Sequence, residues 1–298
     1  MLAAAAAFSL LSGASAAPAP QKTDAELARS AARIEAHVRF LADDLLEGRE
    51  AGTRGHDLAA LYVATQFRLM GLEPAGENGS FFQTVPMRSG TLLRDGARLA
   101  VGRDGGTTEL VFEEDFLPSV NLDTGECALE APMVFVGQGV YAPELEHDDF
   151  AGVDLRGKVA VLLANAPARF PNDQRAFHAS GLEKLRELER RGAVGALFLG
   201  DPENEARRAW HLNAPNWARP GMRLLDRDGR PRDTFPGLGC RASMRMQRAD
   251  VIFAGAPHTT DEVWAMLAEG RLRAFDLKGT ISMASRARLE PVASRNVL

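Results

Sequence analysis

Two apolar runs, "GKVAVLLA" (Gly157 to Ala164) and "AVGALFLG" (Ala193 to Gly200), flank the helical pattern "LEKLRELERRG", which starts at Leu182 and ends at Gly192. A strand, a crossover helix and a second strand imply a parallel pair, because two parallel strands cannot be joined by a tight turn. A parallel pair in turn needs cover on both faces, which directs this chain toward an α/β arrangement. With 298 residues, 45% hydrophobic and 25% charged, the chain is long enough for two domains and can bury a core in each.

Upstream the pattern is helical. Thr23 and Glu26 form a capping box, and Leu27, Ala31, Ile34, Val38, Leu41 and Leu45 follow at alternating spacings of four and three, which predicts an amphipathic helix. "EGREAGTRGHD" interrupts it, with Gly48, Gly52 and Gly55 expected to supply a flexible turn. A second helix is predicted from about Asp57 to Met70, burying Leu58, Leu61, Tyr62 and Leu69 and stopping at Gly71. "SFFQTVPM" (Ser80 to Met87) is a short strand candidate. Short apolar runs such as "ARLAVG", "TTELVF" and "APMVFVG" make the following stretch strand-rich. Residues Arg207 to Arg248 read as irregular, broken by Pro215, Pro220, Pro231 and Pro236. The apolar run "ADVIFAG", a capped helix in "TTDEVWAMLAEG" and alternating strand character at Thr280 to Ala284 follow, and no internal repeat is present.

A net charge of -5 and a pI near 5.8 supply no overall basic field, so nucleic acid is not an expected partner. Leu2 to Leu11 is apolar and Ala14-Ser15-Ala16 fits a cleavage site, so residues 1–17 read as a secretory signal. No basic n-region precedes it, which leaves an alanine-rich leader as the other reading. No segment approaches the roughly 18 uninterrupted apolar residues of a membrane span. The expectation is export without a membrane anchor. The cysteines, Cys127 and Cys240, are too few for a four-cysteine zinc site; they either pair across a long loop or remain two buried thiols.

Candidate chemistry is sparse. Gly137-Gln138-Gly139-Val140-Tyr141-Ala142 follows an apolar strand as a dinucleotide-binding turn does, but Pro143 comes at once and no helical stripe follows. His147-Asp148-Asp149 contains the H-x-D spacing of zinc hydrolases, and Glu113-Glu114 would suit its general base and ligand. Each has a simpler reading, a polar turn for the first and the solvated end of a strand for the second. His37, His56, His178, His211 and His258 share no pattern that would complete a metal site. No G-x-S-x-G elbow is present, and neither cysteine has a nucleophile's setting.

"FLADDLLEGREAGTRGHDLAALYVATQFRLMGLEPAG" (Phe40 to Gly76) resembles the opening helices of the M28 family of zinc aminopeptidases. "APMVFVGQGVYAPELEHDDFAGVDLRGKVAVLLANAP" (Ala131 to Pro167) is similar to the protease-associated domain inserted in many of those peptidases. The similarity rests on Phe135-Val136-Gly137, Asp148-Asp149-Phe150, Gly152, Asp154 and Gly157-Lys158-Val159. Ser294, Arg295, Asn296 and Val297 resemble the strand by which such an insertion returns to the metal-binding region.

The resemblance implies a mixed α/β fold: an N-terminal helical segment of the peptidase with its first strand over 18–88, a strand-rich inserted domain with a few helices over 89–291, and a return strand starting over 292–298. It implies that the zinc ligands of the parent enzyme, for two ions, lie beyond this point, so that no catalytic, cofactor-binding or metal residue is assigned in this chain. The parent would hydrolyse N-terminal peptide bonds of peptide or protein substrates. The other readings are a complete exported protease-associated binding module and, more remotely, a nucleotide-binding oxidoreductase. On the peptidase reading Val297 and Leu298 should pair beside "SFFQTVPM". The helices of residues 23–70 should keep an uncovered apolar face, and the insertion, roughly Ser89 to Pro291, should fold firmly while the region before it frays.

Overall fold

The computed structural model describes residues 23–298; the signal expected over 1–17 lies outside them. Helix α1 (Asp24–Leu41) opens with the predicted capping box: the Glu26 carboxylate accepts the Thr23 N–H at 2.8 Å, and the Thr23 hydroxyl accepts the Glu26 N–H at 3.3 Å. Its apolar stripe faces outward. Ile34 is 63% exposed and no residue of the helix is buried. The helix is held to α2 (Arg54–Leu69) by a 2.8 Å hydrogen bond between His37 and the Tyr62 hydroxyl and by Phe40 stacked on the Tyr62 ring.

Helix α2 starts three residues before the expected Asp57, at Arg54, because Thr53 caps it by accepting the His56 N–H. The expected burial of Leu61 and Leu69 is corrected: both are exposed, Leu58 and Tyr62 are half-buried, and the buried positions are Gly55, Ala60 and Ala64. Small side chains let the helix axis come close to the sheet, and large ones would hold it off. The glycine turn is likewise a packing device rather than a loose hinge. A Cβ on Gly55 would lie 1.6 Å from the Leu46 carbonyl oxygen, and one on Gly52 would lie 2.2 Å from Val292 Cγ1. Gly71 ends α2 as expected, in a left-handed conformation with φ of 76°.

Beyond the helices runs a ribbon of two long antiparallel strands, β1 (Phe82–Arg103) and, at the other end of the chain, Phe275–Val297. Phe82 pairs with Val297, so the expected pairing of the chain's last residues beside "SFFQTVPM" is present, and Arg88 pairs with Pro291. The expected short strands at 80–87, 97–102 and 280–284 are thus parts of two continuous ones. A register shift between Leu93 and Arg98 interrupts the pairing and conceals that continuity in the sequence.

The remaining strands are β2 (Gly106–Glu109), β3 (Phe116–Pro118), β4 (Glu126–Phe135), β5 (Tyr141–Ala142), β6 (His147–Asp148), β7 (Val159–Leu163), β8 (Gly195–Leu199), β9 (Gly221–Leu224) and β10 (Cys240–Met244), which makes Phe275–Val297 β11. One mixed sheet runs in the order β2-β1-β11-β4-β7-β8-β10-β3, with β9 also on β1; β5 and β6 form a separate small pair. Strands β4, β7, β8 and β10 are mutually parallel, and β7 lies beside β8 as the sequence predicts, Val159 opposite Gly195 through Leu163 opposite Leu199.

All five residues of β7 are buried. Val159, Val161 and Leu163 face a core shared with helices α7 (Ala249–Phe253) and α8 (Thr260–Ala268), while Ala160 and Leu162 face Leu185 and Leu188 of α4 (Gly181–Arg190). Each such leucine or valine contributes about 1.5–3 kcal/mol relative to exposure. Helices α3 (Asn172–His178), α5 (Pro202–Arg207) and α6 (Trp210–Asn213) are short connectors. The chain is a mixed α/β fold.

The stretch read as irregular, Arg207 to Arg248, contains β9 and the buried strand β10, which is a correction. Strand β10 alternates Cys240, Ala242 and Met244 inward with Arg241 and Ser243 on the other face, too brief a signal to stand out among prolines. Although β7 and β8 stand between their strands in the sheet order, Cys240 of β10 and Cys127 of β4 form a disulfide with Cα atoms 5.5 Å apart. Of the two cysteine readings, the paired one is the one the fold adopts. No helix among the described residues is long and apolar enough to cross a membrane.

Candidate functional site

In a sheet with parallel strands, ligands characteristically bind outside the carboxyl ends of those strands. Here the ends of β4, β7 and β8 open onto a crevice of about 670 Å³ lined by Gln138, His147, Asp149, Arg169, Arg175 and Trp264 among others. It gathers both leading sequence candidates, the Gly137 turn and the H-x-D.

Gly137 and Gly139 have φ of 54° and 66°, and this conformation turns successive backbone N–H groups toward one point. Such a nest binds anions, and its occupant is the chain's own Asp149. Asp149 Oδ2 accepts from the Gln138 N–H at 3.1 Å and from the Val140 N–H at 3.0 Å, and the side chain is buried. No helix begins after the turn. The chain passes instead through β5, a 3-10 turn over Pro143–Leu145 and β6. The pyrophosphate position of a dinucleotide fingerprint is therefore filled by a carboxylate.

His147 Nε2 lies 3.0 Å from the second oxygen of Asp149, at ion-pair distance but off a good hydrogen-bond line. Its Nδ1 is 3.1 Å from Arg169, and its ring meets Phe170 edge-on. Beneath them, Lys184 of α4 is buried and donates from Nζ to the carbonyl oxygens of Gln138 at 2.6 Å, Leu163 at 3.2 Å and Asn165. Burial lowers its pKa to about 8, against the opposing pull of the Asp149 and Asp201 charges. Asp201, also buried, caps α5 by accepting the Asn204 N–H at 2.9 Å. Lys184 was not among the sequence candidates, because it sits in a charged helix whose other lysine-like positions face water.

Asp149, Asp201 and the Lys184 ammonium are thus already engaged by backbone. Asp149 Oδ2 is taken by two backbone N–H groups and Oδ1 faces His147, and among the described residues no third His, Cys, Asp or Glu joins the pair, so the H-x-D alone does not make a zinc site. Glu113 and Glu114 share no partner with it: Glu113 pairs with Arg94, and Glu114 stands 3.9 Å from Arg245. Their neighbour Asp115 is the buried carboxylate of that turn, accepting the Val111 N–H at 3.0 Å between Arg245 and Arg248.

The remaining histidines are dispersed. His37 bonds Tyr62, His56 approaches Ser294 at 3.5 Å, His178 pairs with Glu144, His258 pairs with Glu262, and His211 is exposed. Among the described residues, no three His, Cys, Asp or Glu side chains stand close enough to hold one metal ion.

No protein-family model matches the chain, and no curated protein sequence does. Among solved structures, an aminopeptidase from Aneurinibacillus sp. strain AM-1 is similar over 90% of this chain and 47% of its own, with 17% identity and a TM-score of 0.42. BSAP, a zinc aminopeptidase from Bacillus subtilis, is similar over 87% of this chain and 45% of its own, with 14% identity and a TM-score of 0.32. The chain spans about half the length of the solved structures it matches.

Proposed function

We propose that this chain is the non-catalytic N-terminal portion, with its inserted protease-associated domain, of an exported M28-type metallo-aminopeptidase. The observation that carries the reading is the β1–β11 ribbon. Arg88 pairs with Pro291 and Phe82 with Val297, so the segment between them leaves and rejoins one strand pair, as an insertion must. Helix α1 carries an apolar stripe that no described residue covers, Leu27, Ile34 and Val38 each being more than half exposed. Both features suit a segment made to be continued and covered by a larger domain. The resemblances at Phe40 to Gly76 and Ala131 to Pro167 supply the family.

The parent reaction is zinc-dependent hydrolysis of N-terminal peptide bonds, with peptides or proteins as substrates. The described residues do not fit the metal, since no three His, Cys, Asp or Glu side chains among them stand close enough to hold one ion, and Glu113 and Glu114 face arginines instead. Its own contribution is the scaffold that the catalytic part builds on.

The test compares two proteins. The 298-residue chain should release no p-nitroaniline from Leu-p-nitroanilide and retain no stoichiometric zinc after gel filtration. The same chain extended by whatever is encoded beyond the Leu298 codon should do both. A stop codon directly after Leu298, or zinc-dependent turnover by the 298 residues alone, refutes the reading.

A further inference from the structure

On the face of the sheet that carries α4, away from the crevice above, a second concavity of about 600 Å³ lies between β10, the start of α4 and β9. Its charged lining is uneven. Arg219 has Glu50 at 3.5 Å and Asp233 has Arg186 at 3.9 Å, but Arg223 and Arg241 have no carboxylate at ion-pair distance among the described residues. Each guanidinium makes a single hydrogen bond among the described residues, to a backbone carbonyl: Arg223 to Met222 at 2.9 Å and Arg241 to Val120 at 3.3 Å. A guanidinium carries several N–H donors in a planar fork, so most of the donors of both remain free. Burial, and next the Arg223 charge, lower the pKa of Arg241, against the opposing pull of the Asp123 and Glu189 charges. Like charges placed together in a partly desolvated hollow disfavour each other, and neither guanidinium has a carboxylate in direct contact to offset this among the described residues.

The rest of the lining narrows the ligand. Phe198, Trp217, Leu92 and Leu117 line the same hollow and give it apolar surface. Ser180, at the start of α4, makes no capping bond with its hydroxyl, which leaves a further donor at the rim. A carboxylate presents two oxygens in the plane that a guanidinium fork matches, and the apolar surface needs an apolar body attached to it. Inorganic phosphate has no such body and would leave that surface wet. The volume lies within the range of pockets that take small molecules.

We propose that the Arg223–Arg241 hollow binds a carboxylate borne on an apolar body, such as the free end of a peptide whose last residue is apolar or a simple aryl-alkanoic acid. The site lies outside the peptidase reading and stands without it.

The test titrates the full 298-residue chain by calorimetry with acetyl-Ala-Phe, its C-terminal amide and 3-phenylpropionate. At least one of the two acids should bind with one-to-one saturation, and the one that binds more tightly identifies the source. The amide should bind about tenfold or more weakly than the acid peptide if the peptide is the ligand, and Arg241→Gln should weaken the tighter acid by about tenfold or more. Arg223→Gln, on a short peripheral strand, provides the same readout if Arg241→Gln does not fold. Absence of saturable binding by both acids, an amide that binds as tightly as the acid peptide when the peptide is the tighter ligand, or binding indifferent to a folded arginine variant would each overturn the proposal.

Discussion

Lys184 Nζ donates to the Gln138 carbonyl oxygen at 2.6 Å, and through it α4 is fastened to the turn after β4. The same ammonium also holds carbonyls of Leu163 and Asn165, so one side chain closes the carboxyl ends of β4 and β7 together. The turn it closes is also the one wrapped around Asp149. A cation below and an anion beside the glycine turn replace the ligand that such a turn would otherwise invite.

Lys184→Met keeps the volume but strands three carbonyl oxygens, and it should cost about 3 kcal/mol or more, read as a drop in the urea midpoint. The pH dependence has a definite sign. The folded-state pKa is about 8 against an ordinary 10.5, so between those values the unfolded chain binds more protons than the folded one. Stability should therefore rise with pH across that window for the wild type relative to Lys184→Met. Parallel urea curves at about pH 7.5 and about pH 9.5 measure it, and a gap between the two proteins that fails to widen would contradict the assignment.

Asp149→Ala removes the acceptor for two buried N–H groups and should destabilise by about 2–4 kcal/mol, with Asp149→Asn losing less because its amide oxygen still accepts. If the carboxylate were instead a metal ligand, both variants would abolish zinc retention while leaving stability in chelator unchanged. Thermal unfolding with and without EDTA distinguishes these outcomes, and the structure predicts loss of stability in both buffers.

The Cys127–Cys240 disulfide closes a loop with a sequence separation of 113 residues. The chain-entropy model assigns such a closure about 4 to 5 kcal/mol. Reduction by dithiothreitol should lower the urea midpoint by the corresponding amount, and Cys127→Ala/Cys240→Ala should show the lowered midpoint with no further response to reductant. In the unreduced, unfolded wild type no thiol should react with Ellman's reagent.

Gly55 marks where α2 is pressed onto the preceding turn, since an added Cβ would overlap the Leu46 carbonyl oxygen. Gly55→Ala should cost about 1–3 kcal/mol through overpacking, although alanine is the better helix former. Because backbone rather than a flexible side chain is in the way, the turn itself must shift. Amide exchange at Leu46 and Arg49 should accelerate ahead of the rest of α2.

What the sequence disclosed depended on whether a residue's neighbours along the chain are also its neighbours in space. The pair β7 and β8 with α4 between them was legible because strand runs and helix period are local patterns, and the capping box at Thr23 is complete within four residues. Strand β10 was missed because its partners β8 and β3 are remote in sequence, and its Arg241 and Ser243 look like loop residues until the sheet exposes one face of them to the hollow. The surroundings of Lys184 and Asp149 were illegible for the same reason. A charged residue's burial is decided by which backbone groups fold around it, and those belong to turns that no local pattern specifies. The H-x-D was visible, while the two N–H groups that engage its aspartate were not.

Helix α1 brings the two levels together, because its sequence pattern was read correctly as amphipathic and yet its apolar side is bare. Leu27 is 52%, Val38 57% and Ile34 63% exposed, and the helix is tied down chiefly through the His37–Tyr62 and Phe40–Tyr62 contacts. In proteins most helical stability comes from packing an amphipathic face, and α1 packs little of its own. Amide protection over Asp24–Leu41 should therefore fall well below that of β7 and β8, where every residue lies in the core or next to it, and equal protection in the two regions would refute the expected fraying. Substituting Ile34→Glu and Val38→Glu together should leave the thermal midpoint within about 1 °C, because surface changes away from packed contacts alter stability little. The same pair should reduce concentration-dependent association measured by sedimentation velocity, since it divides the exposed stripe with charge. A large loss of midpoint would instead mean that the stripe is already covered in the isolated chain.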